Sequence, residues 1–135
     1  MAATSFRPDV FEADPPALLG SACTSCARKA FPPRDVCPSC GAVDGGEPVR
    51  LSTDGVIYSF TVVRQAPPGL ETPYVLGYVD LPADEVRVMS RIEGLAPEEV
   101  EIGLPVRLVA RADERDPERA SLMFAFEHPT EEPQP

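Results

Sequence analysis

The four cysteines of this 135-residue chain form two Cys-x-x-Cys pairs, C23-T-S-C26 and C37-P-S-C40, with ten residues between them. Two such turns bring four thiolates to the corners of a tetrahedron, which is the geometry of structural Zn²⁺ sites. Ten residues are enough for one hairpin between the pairs. The spacing therefore predicts a zinc ribbon in which Cys23, Cys26, Cys37 and Cys40 hold a structural ion, because four cysteine ligands leave no open coordination position.

Three other uses of four cysteines fit the sequence less well. Disulfides are typical of small secreted domains, whereas the first residues (MAATSFRPDVFEADPP) lack the apolar core of a signal peptide. We therefore expect a cytoplasmic protein with reduced thiols. A rubredoxin-type iron site uses the same pairs, usually farther apart and crowded by aromatic residues. A thioredoxin-like redox pair should open a βαβ pattern, and neither pair does.

The charge distribution argues against a nucleic-acid partner. The net charge is −10, and residues 51–135 carry seven basic against sixteen acidic side chains. A nucleic-acid surface needs positive charge that displaces counterions from phosphates. No long apolar run is present, so we also expect no membrane-spanning helix.

Seventeen prolines and nine glycines indicate short strands joined by turns. Residues 1–17 show little periodicity and are expected to form an arm or one short helical turn, and the predicted N-terminal arm extends to residue 21 through a brief apolar lead, ALLGS. The ribbon is predicted over residues 22–46, a β-barrel over 47–128 and a disordered tail over 129–135.

Apolar residues recur with period two from residue 47 onward, which predicts five strands. Ser90 falls on the apolar face of the third strand and is expected to mark its end or a bulge. One helical turn is predicted at 97–100, where a proline precedes two glutamates, and residues 113–120 are predicted to be a charged loop. The alternating sets are, strand by strand, Val56, Tyr58, Phe60 and Val62; Tyr74, Leu76 and Tyr78; Val86, Val88 and Ile92; Val106, Leu108 and Ala110; and Leu122, Phe124 and Phe126. Five strands with a helical turn between the third and fourth are typical of an OB-fold barrel, although a sheet of another topology has the same spacing.

Several short motifs occur in a characteristic order: the two cysteine pairs, F31-P-P-R34 between them, then L51-S-T-D-G55, Y58-S-F-T-V-V63, T72-P-Y74 and I102-G-L-P-V106. Their order and spacing resemble the acyl-CoA-associated zinc ribbon/OB-fold proteins of the domain of unknown function 35 family. The resemblance implies a mainly β fold, with a rubredoxin-like zinc ribbon followed by a five-stranded OB-fold barrel. It also implies an accessory subunit of a thiolase-like or ketosynthase-like enzyme, with a CoA thioester bound together with the partner.

One position departs from the family pattern. Ala27 follows the first cysteine pair, where relatives often have glycine. Because glycine accepts a positive φ easily, we expect a slightly different turn at the first pair.

The sequence indicates no catalytic residues of its own. All four cysteines are predicted to bind zinc, and the single histidine, His128, precedes the predicted tail. The glutamates at 98–99 and the acidic pair at 113–114 fall on predicted exposed turns, where nothing would raise a carboxyl pKa. We expect no independent enzymatic activity.

Two groups of residues are candidates for ligand or partner contact. Arg28, Lys29 and Arg34 form the basic cluster of the ribbon; they are either solvated or directed at CoA phosphates or partner carboxylates. The aromatic residues of the strands are interpreted as core, with the alternative that part of their face contacts an acyl or pantetheine chain. The candidate contact residues are Arg28, Phe31, Arg34, Tyr58, Phe60 and Tyr74.

Three functional hypotheses follow. The first is a non-catalytic subunit of a thiolase-like complex that processes acyl-CoA. The second is a stand-alone acyl-CoA-binding module. The third, a single-stranded nucleic-acid binder on an OB-fold, is disfavoured by the acidic charge.

Overall fold

A computed structural model describes residues 4–43, 46–68, 71–112 and 121–128. These residues form ten β-strands and one short 3-10 helix, Pro97–Glu99. The helix confirms the turn predicted at 97–100. The loop predicted at 113–120 and the tail predicted at 129–135 lie outside the described residues.

The strands divide along the sequence into an N-terminal group and five barrel strands, and the short first strand pairs in parallel with the last barrel strand. The N-terminal strands are β1 (Thr4–Ser5), β2 (Phe11–Ala13), β3 (Pro16–Cys23), β4 (Lys29–Ala30) and β5 (Gly46–Arg50). The barrel strands are β6 (Asp54–Val63), β7 (Tyr74–Leu81), β8 (Val86–Glu93), β9 (Pro105–Ala112) and β10 (Ser121–Glu127).

The five C-terminal strands close into a barrel. Strands β6, β7 and β8 form an antiparallel meander, and β10 runs parallel to β8 with Phe126 opposite Ile92. Strand β9 pairs antiparallel with β10 on one side and with β6 on the other, which completes the closure. This order is that of the OB-fold, so the predicted barrel is confirmed and the alternative sheet topology is wrong.

Strand β3 is the centre of the N-terminal sheet. It pairs antiparallel with β2 at its start, where Phe11 lies opposite Leu18, and with both β4 and β5 towards its end, where Ser21 lies opposite Ala30 and Pro48. The interpretation of the first residues as an arm or a helical turn is wrong for this part of the chain. Phe11 and Leu18 are fully buried, so the removal of their apolar side chains from water stabilises the pairing of β2 with β3.

A cluster of phenylalanines joins the two parts of the molecule. The ring of Phe124 in β10 has its centroid 5.7 Å from that of Phe11, 6.2 Å from that of Phe6 and 6.1 Å from that of Phe31. Such tilted and edge-on pairs add to the free energy gained by burial. The ribbon and the barrel therefore share one apolar core.

A β-bulge changes the inward-facing set of β6. Ile57 lies opposite Val79 and Ser59 lies opposite Tyr78, so Tyr58 is the extra residue. Ile57 is buried, Tyr58 is 48% exposed, and beyond the bulge Phe60 and Val62 pack against the core. The prediction of a single alternating face from Val56 to Val62 is wrong, because one inserted residue shifts the alternation.

The core interpretation is also wrong for a tyrosine of β7. The buried side of this strand carries Val75, Val79 and Leu81, and Tyr78 on the opposite side is 43% exposed.

The third predicted strand is confirmed, with Val86, Val88 and Ile92 buried. Ser90 is buried in the middle of β8 opposite Gly77 and marks neither an end nor a bulge. Gly77 has no room for a side chain of its own, because a Cβ built there would lie 2.4 Å from the Ser59 carbonyl oxygen.

Candidate metal centre

The structure brings the four cysteine sulfurs together, as predicted. All four Sγ atoms lie within 4.8 Å of one another. The closest approaches join one cysteine from each pair: 3.7 Å between Cys23 and Cys40, and 3.6 Å between Cys26 and Cys37. In a tetrahedral site with Zn–S bonds of about 2.3 Å, the sulfur–sulfur distance is about 3.8 Å. The donor set and its spacing therefore fit a Zn²⁺ ion.

Both cysteine pairs are built by the same backbone turn. The Ala27 N–H donates to the Cys23 carbonyl at 2.8 Å, and the Gly41 N–H donates to the Cys37 carbonyl at 2.9 Å. Ala27 has φ 67° and Gly41 has φ 79°, so both lie in the left-handed region. The expectation of a different turn at Ala27 is wrong: alanine adopts the conformation that glycine favours, at a steric cost.

Backbone N–H groups point at the first sulfur of each pair. The N–H groups of Ser39 and Cys40 lie 3.3 and 3.4 Å from the Cys37 sulfur, and that of Ser25 lies 3.4 Å from the Cys23 sulfur. In the metal-free protein these donors, Cys40 first, lower the pKa of Cys37 to about 6. The N–H groups of Cys26 and Ser25 likewise lower the pKa of Cys23. Hydrogen bonds to a thiolate favour the charged form, which is the form that binds metal.

The second sulfur of each pair behaves in the opposite way. The Ala42 N–H lowers the pKa of Cys40, but the neighbouring Cys23 thiol and desolvation outweigh it and raise that pKa to about 11. At Cys26 the Arg28 N–H also lowers the pKa, and desolvation together with Cys37 raises it above its ordinary value. Four sulfurs this close cannot all be charged without a cation between them.

The basic residues of the ribbon contact the barrel. Lys29, the only lysine in the sequence, places Nζ 2.6 Å from Oδ1 of Asp84 in the β7–β8 turn. The other oxygen of Asp84 accepts the Ser52 N–H at 2.6 Å, and the Asp84 side chain is only 6% exposed. Beside it, Arg28 donates to Glu85 at 3.2 Å. These pairs hold the first cysteine pair against the barrel, so Arg28 and Lys29 are not the free basic cluster that the sequence suggested.

The other candidate contact residues are spread over the molecule. Phe31 is half-buried in the phenylalanine cluster, and Phe60 packs against the barrel core. Arg34 is exposed on the ribbon, and its backbone N–H donates to the Ser21 hydroxyl at 3.0 Å. Tyr58 and Tyr74 lie on the outer side of the barrel, each beneath an arginine. The structure therefore does not gather these six residues into one site.

Sequence reasoning missed Asp84 and Ser52. Asp84 lies in the turn L81-P-A-D-E85, which reads as an ordinary exposed turn. No neighbouring residue indicates that Asp84 is buried, because its two partners, Lys29 and Ser52, lie far away in the chain. The lysine beside the first cysteine pair gave no such signal either, because lysine side chains are mostly exposed to solvent.

Within residues 4–43, 46–68, 71–112 and 121–128, the cysteine cluster is the only group of three or more possible ligating side chains close enough to hold a metal. His128 is engaged at the end of the barrel, with Nδ1 2.7 Å from the Pro105 carbonyl and its N–H on the Glu93 carbonyl. Among the same residues, no helix has the length and apolar character needed to cross a membrane.

Comparison with known proteins gives the same two-part organisation. Residues 12–44 match the family model described as "ChsH2, rubredoxin-like zinc ribbon domain", and residues 48–111 match "ChsH2, C-terminal OB-fold domain". The chain is 32% identical over 111 residues to a DUF35 domain-containing scaffold protein of Methanocaldococcus jannaschii, covering 81% of this chain and 78% of the relative.

Two further similarities concern a named enzyme subunit and a solved structure. A benzoylsuccinyl-CoA thiolase subunit BbsA of Geobacter metallireducens is 36% identical over 115 residues, 78% of this chain and 77% of the relative. The solved structure titled "Ltp2-ChsH2(DUF35) aldolase" superposes with a TM-score of 0.69 at 31% identity, covering 83% of this chain and 84% of the other. Ribbon, barrel and sequence agree, and the chain belongs to the domain of unknown function 35 family of zinc ribbon/OB-fold proteins.

Proposed function

We propose that this protein is a zinc-binding, non-catalytic accessory subunit of a thiolase-like complex that processes acyl-CoA. The observation that carries the proposal is the closed four-cysteine site in a family whose relatives include a thiolase subunit. Cys23, Cys26, Cys37 and Cys40 would hold the ion. When bound, Zn²⁺ supplies a rigid cross-link between the two cysteine pairs and offers no position to a substrate.

The cysteines and the histidine support a non-catalytic role for this chain. If all four cysteines bind zinc, none is left for thioester chemistry. His128 is held by the barrel end rather than presented beside an acidic or nucleophilic side chain. Zinc binding also requires reduced thiols, which supports a reducing compartment such as the cytoplasm.

The partner would carry the reaction. BbsA is named as a subunit of a thiolase, and the related solved structure is titled as an aldolase that contains a DUF35 chain. Extended to this chain, these names support a catalytic partner of the thiolase-like or ketosynthase-like class whose substrate is a CoA thioester. The ribbon and barrel would stabilise that partner and border its substrate.

The cavities support this role over a stand-alone acyl-CoA binder. The space among Ser21, Cys23, Arg34 and Cys37 is about 10 Å³, room for roughly one water molecule. A groove of about 500 Å³ runs past Val56, Leu81 and Arg87, but it is open to solvent. A pocket that binds a drug-sized ligand without a partner protein usually buries about 70–90% of the ligand's surface. We therefore expect any CoA contact to require the partner.

The test compares the zinc-loaded chain, its native partner and the complex of the two. The chain is isolated from its host with the partner attached, and each component is assayed with acyl-CoA substrates. We expect activity in the complex, reduced activity or stability in the partner alone and no turnover by the chain alone. Turnover by the isolated chain at a rate comparable to the complex would refute the accessory role.

A further inference from the structure

A buried serine, Ser21, lies in β3 two residues before the first cysteine of the metal centre. Its hydroxyl oxygen accepts the backbone N–H of Arg34 at 3.0 Å. Arg34 belongs to the segment that joins the two cysteine pairs and precedes Cys37 by three residues. One hydrogen bond therefore links the strand that ends in Cys23 to the segment that leads to Cys37.

The segment between the cysteine pairs is short of hydrogen-bond donors. Pro32 and Pro33 have no backbone N–H, so neither can donate to a neighbouring strand. The strand before them, β4, is only two residues long, and its pairing with β3 ends before the prolines. Arg34 is the next residue with an amide proton, and Ser21 accepts it. The serine hydroxyl thus continues the attachment to β3 where the prolines interrupt the backbone pairing.

The backbone of Ser21 is held independently of its side chain. Ser21 lies opposite Ala30 of β4 and Pro48 of β5 in the sheet. An alanine at this position keeps that strand pairing and removes the acceptor of the Arg34 N–H. The contribution of the hydroxyl can therefore be measured without disrupting the strand.

A third stretch of chain packs against the same hydrogen bond. Gly46 follows the second cysteine pair and lies opposite Cys23 in the pairing of β3 with β5. A Cβ built on Gly46 would lie 3.0 Å from the Arg34 carbonyl oxygen and 3.4 Å from the Ser21 Cβ. The chain before the first pair, between the pairs and after the second pair therefore meets around one serine.

From these contacts we propose that Ser21 is a positioning residue of the metal centre, which sets the second cysteine pair at the distance from the first that Zn²⁺ requires. The inference rests on the zinc-binding part of the proposed function. Ser21 is not a ligand; it acts through the Arg34 backbone on the placement of Cys37. Groups that orient metal ligands change metal affinity by about 10–100-fold when they are removed. Because Ser21 acts at a distance of three residues from the ligand, we expect the lower end of this range.

The experiment measures the zinc affinity of the full-length chain by competition with a chelator. Ser21→Ala is compared with Ser39→Ala, the same chemical change at an exposed serine whose backbone contact with the Cys37 sulfur is retained. We expect Ser21→Ala to raise the Kd for zinc about tenfold, and Ser39→Ala to leave it within about twofold of wild type.

Two further measurements separate positioning from a general loss of stability. The visible absorption of the Co²⁺-loaded protein reports how the thiolates surround the ion, and its bands should change in Ser21→Ala and not in Ser39→Ala. Urea unfolding of the metal-free proteins reports the stability of the barrel without the ion. The midpoint for metal-free Ser21→Ala should equal that of wild type, because the hydroxyl acts where the ribbon closes around the metal.

The outcomes distinguish this inference from the proposed function. If the wild-type chain binds no zinc, the inference and the zinc-binding part of the proposed function both fail. If wild type binds zinc and Ser21→Ala binds it as tightly, or gives the same cobalt spectrum, only the inference fails. A weaker affinity accompanied by an equal loss of stability in the metal-free protein would show that Ser21 stabilises the fold in general, which also overturns the inference.

Discussion

Lys29 and Asp84 form a contact of 2.6 Å between the zinc ribbon and the barrel, 55 residues apart in the sequence. The carboxylate is almost completely buried, and its second oxygen is bound by the Ser52 backbone. Lys29 follows the first cysteine pair by three residues, so this ion pair links the metal centre directly to the β7–β8 turn.

This contact should contribute measurably to stability. Lys29→Ala leaves a buried carboxylate with one partner, so we expect a loss of about 1–3 kcal/mol in the free energy of unfolding. Urea denaturation of the zinc-loaded protein measures it. The control is Arg107→Ala, which removes an exposed ion pair with Asp54 and should change stability by less than about 0.5 kcal/mol. Equal effects of the two substitutions would show that Asp84 is satisfied without Lys29.

The two cysteine turns predict opposite effects of exchanging glycine and alanine. Gly41→Ala puts a Cβ at φ 79° with nothing within 4 Å of it, so the cost is purely conformational, about 1–2 kcal/mol. Ala27→Gly relieves the same strain at φ 67° and should be neutral or slightly stabilising, because greater unfolded-state entropy opposes the gain. Thermal unfolding of both zinc-loaded variants checks the order. A Gly41→Ala variant as stable as wild type would show that the second turn differs from the first.

Removal of one ligand should separate the ribbon from the barrel. Cys37→Ser is expected to abolish zinc binding and unfold the residues around both cysteine pairs, while the closed barrel of strands β6 to β10 persists with reduced stability. In isolated zinc-finger peptides the ion contributes about 10–16 kcal/mol of apparent binding energy. Metal analysis measures zinc binding, and amide NMR spectra show whether the ribbon has unfolded and the barrel has remained folded. Ser39→Ala is the control, because its backbone N–H still reaches the Cys37 sulfur. One zinc ion per chain in Cys37→Ser would contradict the four-ligand site.

Zinc affinity should increase with pH. In the metal-free protein the pKa of Cys37 is lowered to about 6, so this sulfur is already a thiolate at neutral pH. The pKa of Cys40 is raised to about 11 and that of Cys26 lies above its ordinary value, so zinc must displace at least these two protons. Between pH 7 and 8 the apparent Kd should therefore fall at least about 100-fold.

Competition with a zinc chelator at several pH values gives the slope of log Kd against pH. Calorimetry in two buffers counts the protons released on zinc binding. The same measurements on Ser25→Ala, an exposed residue of the first turn, should give the wild-type slope. A Kd independent of pH would mean that the metal-free sulfurs are already fully ionised.

The parts of the molecule that sequence alone predicted are those set by local spacing. The cysteine pairs fix their own turns, and the alternation from Val86 to Ile92 marks a strand with one buried side. The turn at Pro97 follows from a proline before two glutamates. In each case the determining residues are close together in the chain.

The parts that it missed depend on distant partners. Strand β3 pairs with β5 and buries Leu18 against residues far along the sequence, so its neighbourhood resembled an arm. The bulge at Tyr58 exists because β7 presents one residue opposite two, which no pattern within β6 reveals. Arg28 and Lys29 looked free because their carboxylates lie in the β7–β8 turn.

Native mass spectrometry of the protein isolated gently from its host tests the central claim most directly, because one spectrum reports both metal and partner. We predict a complex in which each copy of this chain carries one zinc ion and is bound to a thiolase-like catalytic subunit. A spectrum that shows only the free chain, or a complex in which the chain carries no metal, would contradict the account.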